Sequence, residues 1–357
     1  MAKTETLAQP AGRGGIDWGK VVASPAFWPG VLISLAIGLI YWPLFKKLPE
    51  LWLSKDGYYS HGFLVPLIAG YIAFKQWDKR PNISGLLLPL LAVIGIVVPG
   101  TFAKVVVVLG LVAVYCLPPI RRIVARLDRK VFPPGVALKD MEPKATPGAL
   151  LLAGVLMLIP LYFALVSTST PIDAIMSVMV VVTLLLGVWM LAGFRWMLAL
   201  AWPIAYLSFA LPLFGMAIEI YTNPLQTYST LVATKIFAIT GFEHEYVNST
   251  TIMMNSGFPL NVGVPCSGLR LILALTAFTV FFVLIANLNW WRNLVLMGLI
   301  LPLALGINGL RIALIGMVGE LRGAEAGMAF HDYSGYITLV VCFFILFKIA
   351  RLLGWKD

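Results

Sequence analysis

The sequence predicts an all-α polytopic membrane protein with about ten transmembrane helices and a small extracytoplasmic helix plus β-hairpin element at residues 214–265. Of the 357 residues, 60% are apolar and 12% are charged, and the mean hydropathy is +0.91. Soluble domains carry about 45–50% apolar and about 25% charged residues. Long apolar runs recur along the chain, and basic residues collect in alternate connecting segments. These observations exclude a soluble globular protein.

Ten apolar runs approach the length of roughly 20 residues that a helix needs to cross a bilayer. They form a membrane domain at 28–353 between two short tails, 1–27 and 354–357. No charged residue lies well inside a run apart from Asp173, near one end of its run, Arg270, Arg311 and Lys348. The predicted spans are residues 28–45, 61–76, 84–101, 103–118, 148–167, 171–194, 195–213, 266–287, 293–318 and 332–353.

The distribution of positive charge predicts the orientation of these spans. The loop 119–147 holds seven of the 26 Lys and Arg residues. The same side of the predicted membrane receives Lys3, Arg13 and Lys20 of the N-terminal tail and Lys348, Arg351 and Lys356 at the C-terminal end. Because cytoplasmic loops carry an excess of Lys and Arg, we expect this loop and both termini to be cytoplasmic. The net charge of +10 thus orients helices and does not indicate nucleic-acid binding.

The segment 214–265 is the largest one predicted to face outward. Its first half favours a helix lying near the interface, with Pro224 as a break or as the helix start. In its second half, β-branched residues flank Asn255-Ser256-Gly257, which predicts a hairpin. The hairpin leads directly into Pro265-Cys266, so the whole segment is a candidate lid over Cys266.

Cys266 is the candidate nucleophile. Pro265 favours a helix start there, and both the positive end of a helix and Arg270, four residues on, would stabilise a thiolate. The surroundings of Cys116 and Cys342 are apolar and indicate packed thiols. Three cysteines do not suffice for a disulfide framework or a cysteine zinc site, and we expect no metal and no cofactor.

Arg311 and His331 are the other candidate catalytic residues. Arg311, with Asn308 three residues before it, carries a permanent charge at membrane depth and would clamp a substrate carbonyl or a developing oxyanion. A structural ion pair with Glu320 or Glu219 is the alternative. His331 opens the last predicted span on the same face and could shuttle a proton for the cysteine, or only cap the helix.

The segment Tyr59-Ser60-His61-Gly62 precedes the second predicted span on the same outward face. Its polar side chains could line the same cavity as Cys266 or merely cap the helix, and the residues favour neither reading. The third histidine, in Glu243-His244-Glu245, indicates solvated surface, because no further metal ligands stand at a suitable spacing.

Together these residues resemble the exosortase/archaeosortase family of membrane-embedded cysteine transpeptidases over roughly residues 50–350. The motifs that carry the resemblance are Leu211-Pro212-Leu213, Asn223-Pro224-Leu225-Gln226, Pro265-Cys266-Ser267-Gly268-Leu269-Arg270, Asn308-Gly309-Leu310-Arg311-Ile312, His331-Asp332-Tyr333-Ser334-Gly335 and Tyr59-Ser60-His61-Gly62. Val264-Pro265 stand where relatives commonly have an acidic residue and Ala.

The resemblance implies a function as well as roles for residues. It implies an enzyme of the inner membrane that cleaves the PEP-CTERM-type sorting signal of exported proteins on its extracytoplasmic face. This signal is made of a motif, a transmembrane stretch and a basic tail. The new C-terminus would pass through a thioester to a surface acceptor that is amine, lipid or glycan linked, often in bacteria that make exopolysaccharide. Cys266, Arg311 and His331 would be catalytic, supported by Arg270, Asn308, Ser267, His61 and Tyr59.

Two functions of other classes stay open at this point. One is a transporter of an anionic solute that uses Arg270 and Arg311, although no inverted repeat is visible in the sequence. The other is a scaffold for exopolysaccharide assembly without chemistry of its own.

Overall fold

The computed structural model describes residues 27–54, 57–83, 117–144, 146–169, 173–286 and 288–355. In these residues the chain is mostly helical and contains one three-stranded antiparallel sheet. The predicted spans 84–101 and 103–118 lie almost wholly outside the described residues.

The N-terminal part consists of helices of very different lengths. They are α1 (Phe27–Ile40), α2 (Trp42–Phe45), α3 (Leu48–Leu53), α4 (Val65–Trp77), α5 (Pro118–Val131), α6 (Pro147–Ser169), α7 (Asp173–Ala192), α8 (Phe194–Ala199) and α9 (Ala201–Tyr206). Single turns of 3₁₀ helix occur at Gly62–Leu64, Leu138–Asp140 and Leu207–Ala210.

The C-terminal part contains the sheet and the longest helices. Its elements are α10 (Gly215–Thr240), β1 (His244–Asn248), β2 (Thr251–Met254), β3 (Pro259–Asn261), α11 (Leu269–Ile285), α12 (Trp290–Gly298), α13 (Ile300–Arg322) and α14 (Ala324–Leu352). A 3₁₀ turn at Val264–Cys266 connects the sheet to α11.

In the part of the chain that the structure describes, fewer helices than expected are long and apolar enough to cross a membrane. There are four such stretches, namely Pro147–Val166, Asp173–Ala192, Trp290–Arg322 and Ala324–Leu352. A fifth results if α1 to α3 count as one span, although the chain bends by 64° between α1 and the helices that follow. The chain is therefore a helical membrane protein, but ten spans are not confirmed. One reason is length: α4 has 13 residues and α11 has 17, which is short for a layer of about 30 Å.

The predicted span 195–213 is wrong as a single helix. The chain forms α8, α9 and the 3₁₀ turn Leu207–Ala210 there, followed by a turn that ends at Phe214. Apolar composition alone does not show whether a helix is continuous, and Pro203 and Pro212 each lack the N–H that a continuing helix uses.

The long helix of this region is α10, which the sequence placed at the interface. It runs without interruption for 26 residues with Pro224 inside it, so that proline neither breaks nor starts the helix. It packs against α13, where Ala233 and Phe237 share a buried cluster with Ile312 and Ala313. The helical half of the candidate lid is therefore a wall of the bundle.

Two glycines of α13 allow this close packing. A Cβ on Gly309 would lie 2.3 Å from Val232 Cγ1, and a Cβ on Gly316 would lie 2.5 Å from the ring of Phe237. Contacts advance along both helices together, so α10 and α13 run in the same direction. The close approach brings the polar face of α10 against α13.

The predicted hairpin is present as β2 and β3, and β1 adds a third strand. The turn between β2 and β3 uses Gly257 at φ +81° and closes with a bond from Met254 N–H to the Phe258 carbonyl, 3.0 Å. Glu320, near the end of α13, accepts hydrogen bonds from the backbone N–H of Ser256, 3.1 Å, and from its hydroxyl. The hairpin tip is thereby fastened to α13.

Candidate active site

Cys266 lies in the 3₁₀ turn before α11 and not in the first helical turn that the sequence predicted. Gly268 separates the turn from the helix with φ +81°, a conformation that residues with a Cβ rarely adopt. A Cβ at Gly268 would also lie 3.0 Å from Asn308 Nδ2. The side chain of Cys266 is buried, with only 5% of the residue exposed.

His331 contacts the thiol directly, since the distance from Cys266 Sγ to His331 Nε2 is 2.8 Å. The histidine does not open the last helix as expected, because α14 starts at Ala324 and His331 lies about two turns into it. Its Nδ1 is 3.4 Å from Asp332 Oδ1. A carboxylate on this side favours a proton on Nδ1, which leaves Nε2 free to accept a proton from sulfur.

Arg311 is held beside the backbone of His331. Its Nε donates to Ser334 Oγ at 2.9 Å, and its Nη2 donates to the His331 carbonyl at 3.1 Å. Ser334 is buried and also donates to that carbonyl, at 3.1 Å. Glu320, one of the two suggested ion-pair partners of Arg311, accepts hydrogen bonds from Ser256 at the hairpin tip.

A small cavity lies beside this group, between α11, α13 and α14. Arg270 and Arg311 both line it, with Gly268, Leu271, Asn308, Gly335, Thr338 and Leu339, and none of these lining residues is acidic. A Cβ on Gly335 would lie 3.6 Å from Arg311 Nη2 and 3.9 Å from Arg270 Nη1. Two guanidinium groups therefore approach one glycine of α14, which makes the cavity suited to an anionic oxygen.

The backbone around Cys266 is held by a buried polar cluster. Asn308 Nδ2 donates to the Cys266 carbonyl at 2.7 Å and to Ser229 Oγ at 3.0 Å. Ser229 Oγ in turn donates to the Ser267 carbonyl at 3.4 Å, and Ser267 Oγ accepts from the Leu269 N–H at 3.3 Å. On the same face of α10, Gln226 Nε2 donates to the Val262 carbonyl at 2.9 Å.

The sequence analysis assigned no role to Ser229, Gln226, Ser334 or Asp332. The first two are uncharged and lie three residues apart on α10, a helix that was expected near the membrane interface. Gln226 belongs to a motif of the resemblance, and the spacing, which puts both residues on one face, was a further signal. Ser334 and Asp332 belong to the His331 motif, but a role for them follows only from their contacts.

Tyr59 and His61 belong to a different part of the bundle. Tyr59 packs in a cluster with Phe209 and Phe214, and its hydroxyl accepts from the Phe214 N–H at 3.0 Å. Burial raises the pKa of the Tyr59 phenol to about 12. His61 is buried at the start of the 3₁₀ turn Gly62–Leu64. The structure does not bring them into the group formed by Cys266, His331 and Arg311.

Comparison with known proteins agrees with the resemblance in the motifs. A sequence model of the family described as "Transmembrane exosortase" matches residues 135–348, more than half of the chain. Cys266, Arg311 and His331 lie inside the matched segment, whereas Tyr59 and His61 lie outside it. No curated protein and no solved structure gives a significant match. The chain belongs to the transmembrane exosortase family.

Proposed function

We propose that this chain is a membrane-embedded cysteine transpeptidase that cleaves the C-terminal sorting signal of exported proteins. Its family processes sorting signals of exported proteins in general. The observation that carries the proposal is the 2.8 Å contact between Cys266 Sγ and His331 Nε2 beside the Arg311 guanidinium. A nucleophile, a base and a cation are the groups that acyl transfer needs.

In the first half of the reaction, His331 Nε2 takes the thiol proton and the thiolate attacks the scissile carbonyl carbon. A C–S bond forms and the carbonyl electrons move to oxygen. When this intermediate collapses, the peptide C–N bond breaks, the Nε2 proton passes to the leaving amine, and a thioester on Cys266 remains. Asp332 would keep the imidazole in the tautomer that this sequence requires.

Arg311 is assigned to the negative charge that develops on the carbonyl oxygen. Ser334 and the His331 carbonyl hold two of its donors, so the guanidinium needs little reorganisation when the charge appears. Arg270, on the same cavity, adds a second positive charge near the substrate. Asn308 donates to the carbonyl of Cys266 and to Ser229. We assign Asn308, Ser229 and Ser267 to positioning the backbone of Cys266.

In the second half, an acceptor amine attacks the thioester and His331 takes its proton as the C–S bond breaks. The product is an amide between the new C-terminus and the acceptor. Water would compete for the thioester, so the site must restrain it. The fastened hairpin, which leads into the turn of Cys266, is the part of the predicted lid segment that fits this role.

The distribution of basic residues supports a reaction on the outer side of the membrane. With the 119–147 loop and both termini in the cytoplasm, the site lies toward the outer face of the inner membrane. A sorting signal with its own hydrophobic helix then enters from the lipid, and its basic tail stays on the cytoplasmic side.

The test uses Cys266 and Cys342, the two cysteines in the described ranges, as a matched pair. A sorting-signal protein is expressed together with wild type, Cys266→Ala or Cys342→Ala, and its conversion to the shorter product is followed on gels. We expect no conversion with Cys266→Ala and wild-type conversion with Cys342→Ala, because the second thiol packs among apolar side chains. Conversion by a membrane-inserted Cys266→Ala protein at the wild-type rate would refute the assignment and favour the scaffold or transporter.

A further inference from the structure

A basic amphipathic helix lies far from the candidate site in the sequence and has no part in the proposed chemistry. It is α5, with the sequence PPIRRIVARLDRKV. Ile123 and Leu127 stand one turn apart and are 56% and 51% exposed. Arg122, Arg126 and Arg129 recur at helical spacing on a different face and are also exposed. The helix thus presents an apolar strip beside a cationic one.

The third face of α5 is fixed to the protein. Asp128 is buried and accepts hydrogen bonds from Arg80 Nη2 and from the Ile83 N–H, both at 2.8 Å. The guanidinium of Arg80 also donates to the carbonyl of Phe132, just past the helix. These contacts set the rotation of α5 about its axis, so that Ile123 and Leu127 face outward as a consequence of the fold.

Tryptophans mark the level at which α5 lies. Trp77 ends α4 and Trp196 lies in α8, and their ring centroids are 6.2 Å apart. Trp196 packs against the small core of Phe132 and Leu138 that follows α5. Tryptophan rings concentrate where the bilayer meets water. The helix therefore lies beside a feature typical of the headgroup layer.

We propose that α5 lies in the headgroup layer of the membrane and binds anionic phospholipids. Ile123 and Leu127 insert beside the upper acyl chains, and Arg122, Arg126 and Arg129 contact the phosphate groups. Such a helix needs both an apolar face to insert and cationic groups to attract anionic headgroups. The inference is independent of the proposed reaction, since it uses no residue of the candidate site.

The first experiment measures the depth of each face in the full-length protein. Cys116, Cys266 and Cys342 are replaced by Ala, and an environment-sensitive fluorophore is attached at Ile123→Cys or, as the matched control, at Arg126→Cys. The proteins are placed in bilayers of phosphatidylcholine and phosphatidylglycerol containing a lipid with a quencher near the headgroup end of its acyl chain. We expect strong quenching at position 123 and little at 126. Equal quenching at both positions, or none at 123, would overturn the proposal.

The second experiment measures lipid preference. Wild type, Arg126→Gln/Arg129→Gln and Lys235→Gln/Arg322→Gln are released from bilayers with equal phosphatidylcholine and phosphatidylglycerol, and the bound lipid is identified by native mass spectrometry. The control pair removes two exposed charges from other helices. Loss of the α5 pair should weaken phosphatidylglycerol retention by about fivefold per charge, and the control pair should not. An unchanged preference in the α5 variant would also overturn the proposal.

Discussion

The same three helices, α11, α13 and α14, enclose two very different interiors. At one end Asn308 and Ser334 are buried in hydrogen bonds around Cys266 and His331. At the other end Phe282, Leu346 and further aromatic rings pack around the second buried cysteine, Cys342. We refer to these two regions as the polar end and the apolar end.

The difference between the two ends shows what a buried polar group requires in this protein. A buried polar group that loses its partner costs about 1–3 kcal/mol, so the polar end requires partners at defined distances. The apolar end requires only that side chains fill the space. The two cysteines illustrate this contrast. The Cys266 thiol is 2.8 Å from His331 Nε2, whereas Cys342 is packed in the apolar cluster with Phe282 and Leu346.

The largest expected effect after loss of the thiol comes from His331→Gln. Loss of the proton-accepting nitrogen should slow cleavage by roughly 10²–10⁴-fold. The measurement is the rate of product formation by purified enzyme in lipid. The control is His61→Gln, a buried histidine outside the polar end, which should keep its rate in the folded fraction. A comparable loss of cleavage rate in folded His61→Gln would show that His61 also takes part in the reaction and would contradict the distinction between the two histidines.

Arg311→Lys tests whether the geometry of the cation matters. An ammonium cannot hold both Ser334 and the His331 carbonyl while addressing a third oxygen, since it lacks the planar fork. We expect a loss of roughly 10²–10³-fold in the rate of cleavage, the cost typical of one oxyanion donor. Arg351→Lys, which replaces a guanidinium over the ring of Phe347 near the apolar end, should leave the rate unchanged. Full activity of Arg311→Lys would make Arg311 a structural charge.

Asn308→Ala tests positioning with a smaller expected effect. It removes donors to the carbonyl of Cys266 and to Ser229, worth about 1–3 kcal/mol. This corresponds to a loss of roughly fivefold to 150-fold in kcat with little change in KM. Asn293→Ala removes another buried amide, whose Nδ2 donates to the Leu288 carbonyl at 3.4 Å. It should lower the midpoint of thermal unfolding and leave kcat alone. Equal kcat values in Asn308→Ala and Asn293→Ala would show that Asn308 does not position Cys266 for the reaction.

Gly309→Ala should act mainly on stability. Its Cβ would meet Val232, so α10 and α13 must separate, at a cost of about 1–3 kcal/mol in the free energy of unfolding. Gly306→Ala, one turn earlier on α13, meets nothing within 4 Å and serves as the control. Thermal unfolding in detergent measures both. An unfolding midpoint for Gly309→Ala no lower than that of the control would show that the helices do not need this close contact.

Local signals in the sequence predicted the features that depend on few residues. Long apolar runs predicted α6 and α7 closely, and Asn255-Ser256-Gly257 predicted the turn between β2 and β3. The rarity of ionisable groups in membrane segments indicated Cys266, Arg311 and His331 as candidate site residues. The structure brings these three residues together.

Packing between helices determined the position of α10 and the partners of its polar side chains, which the sequence did not predict. The polar residues of α10 favoured an interface helix, yet Gly309 and Gly316 allow it to pack inside the bundle, where Gln226 and Ser229 find partners. Uncharged polar residues are common in membrane helices, so the spacing of these two on one face of α10 did not by itself indicate which groups they bind. Tyr59 and His61 resembled site residues by motif, but Tyr59 packs in another cluster, with Phe209 and Phe214, and His61 is buried at the start of the 3₁₀ turn before α4.

The sequence by itself determined that this chain is helical, lies in a membrane and carries a thiol, a guanidinium and an imidazole in the order typical of exosortases, because composition and residue identity are local properties. Only the tertiary structure decided that residues 195–213 form several short helices, that α10 packs against α13, and which side chains hold Cys266 and Arg311. Those outcomes depend on distances between segments far apart in the chain, and such distances are fixed by glycine contacts and buried hydrogen bonds that no single segment specifies.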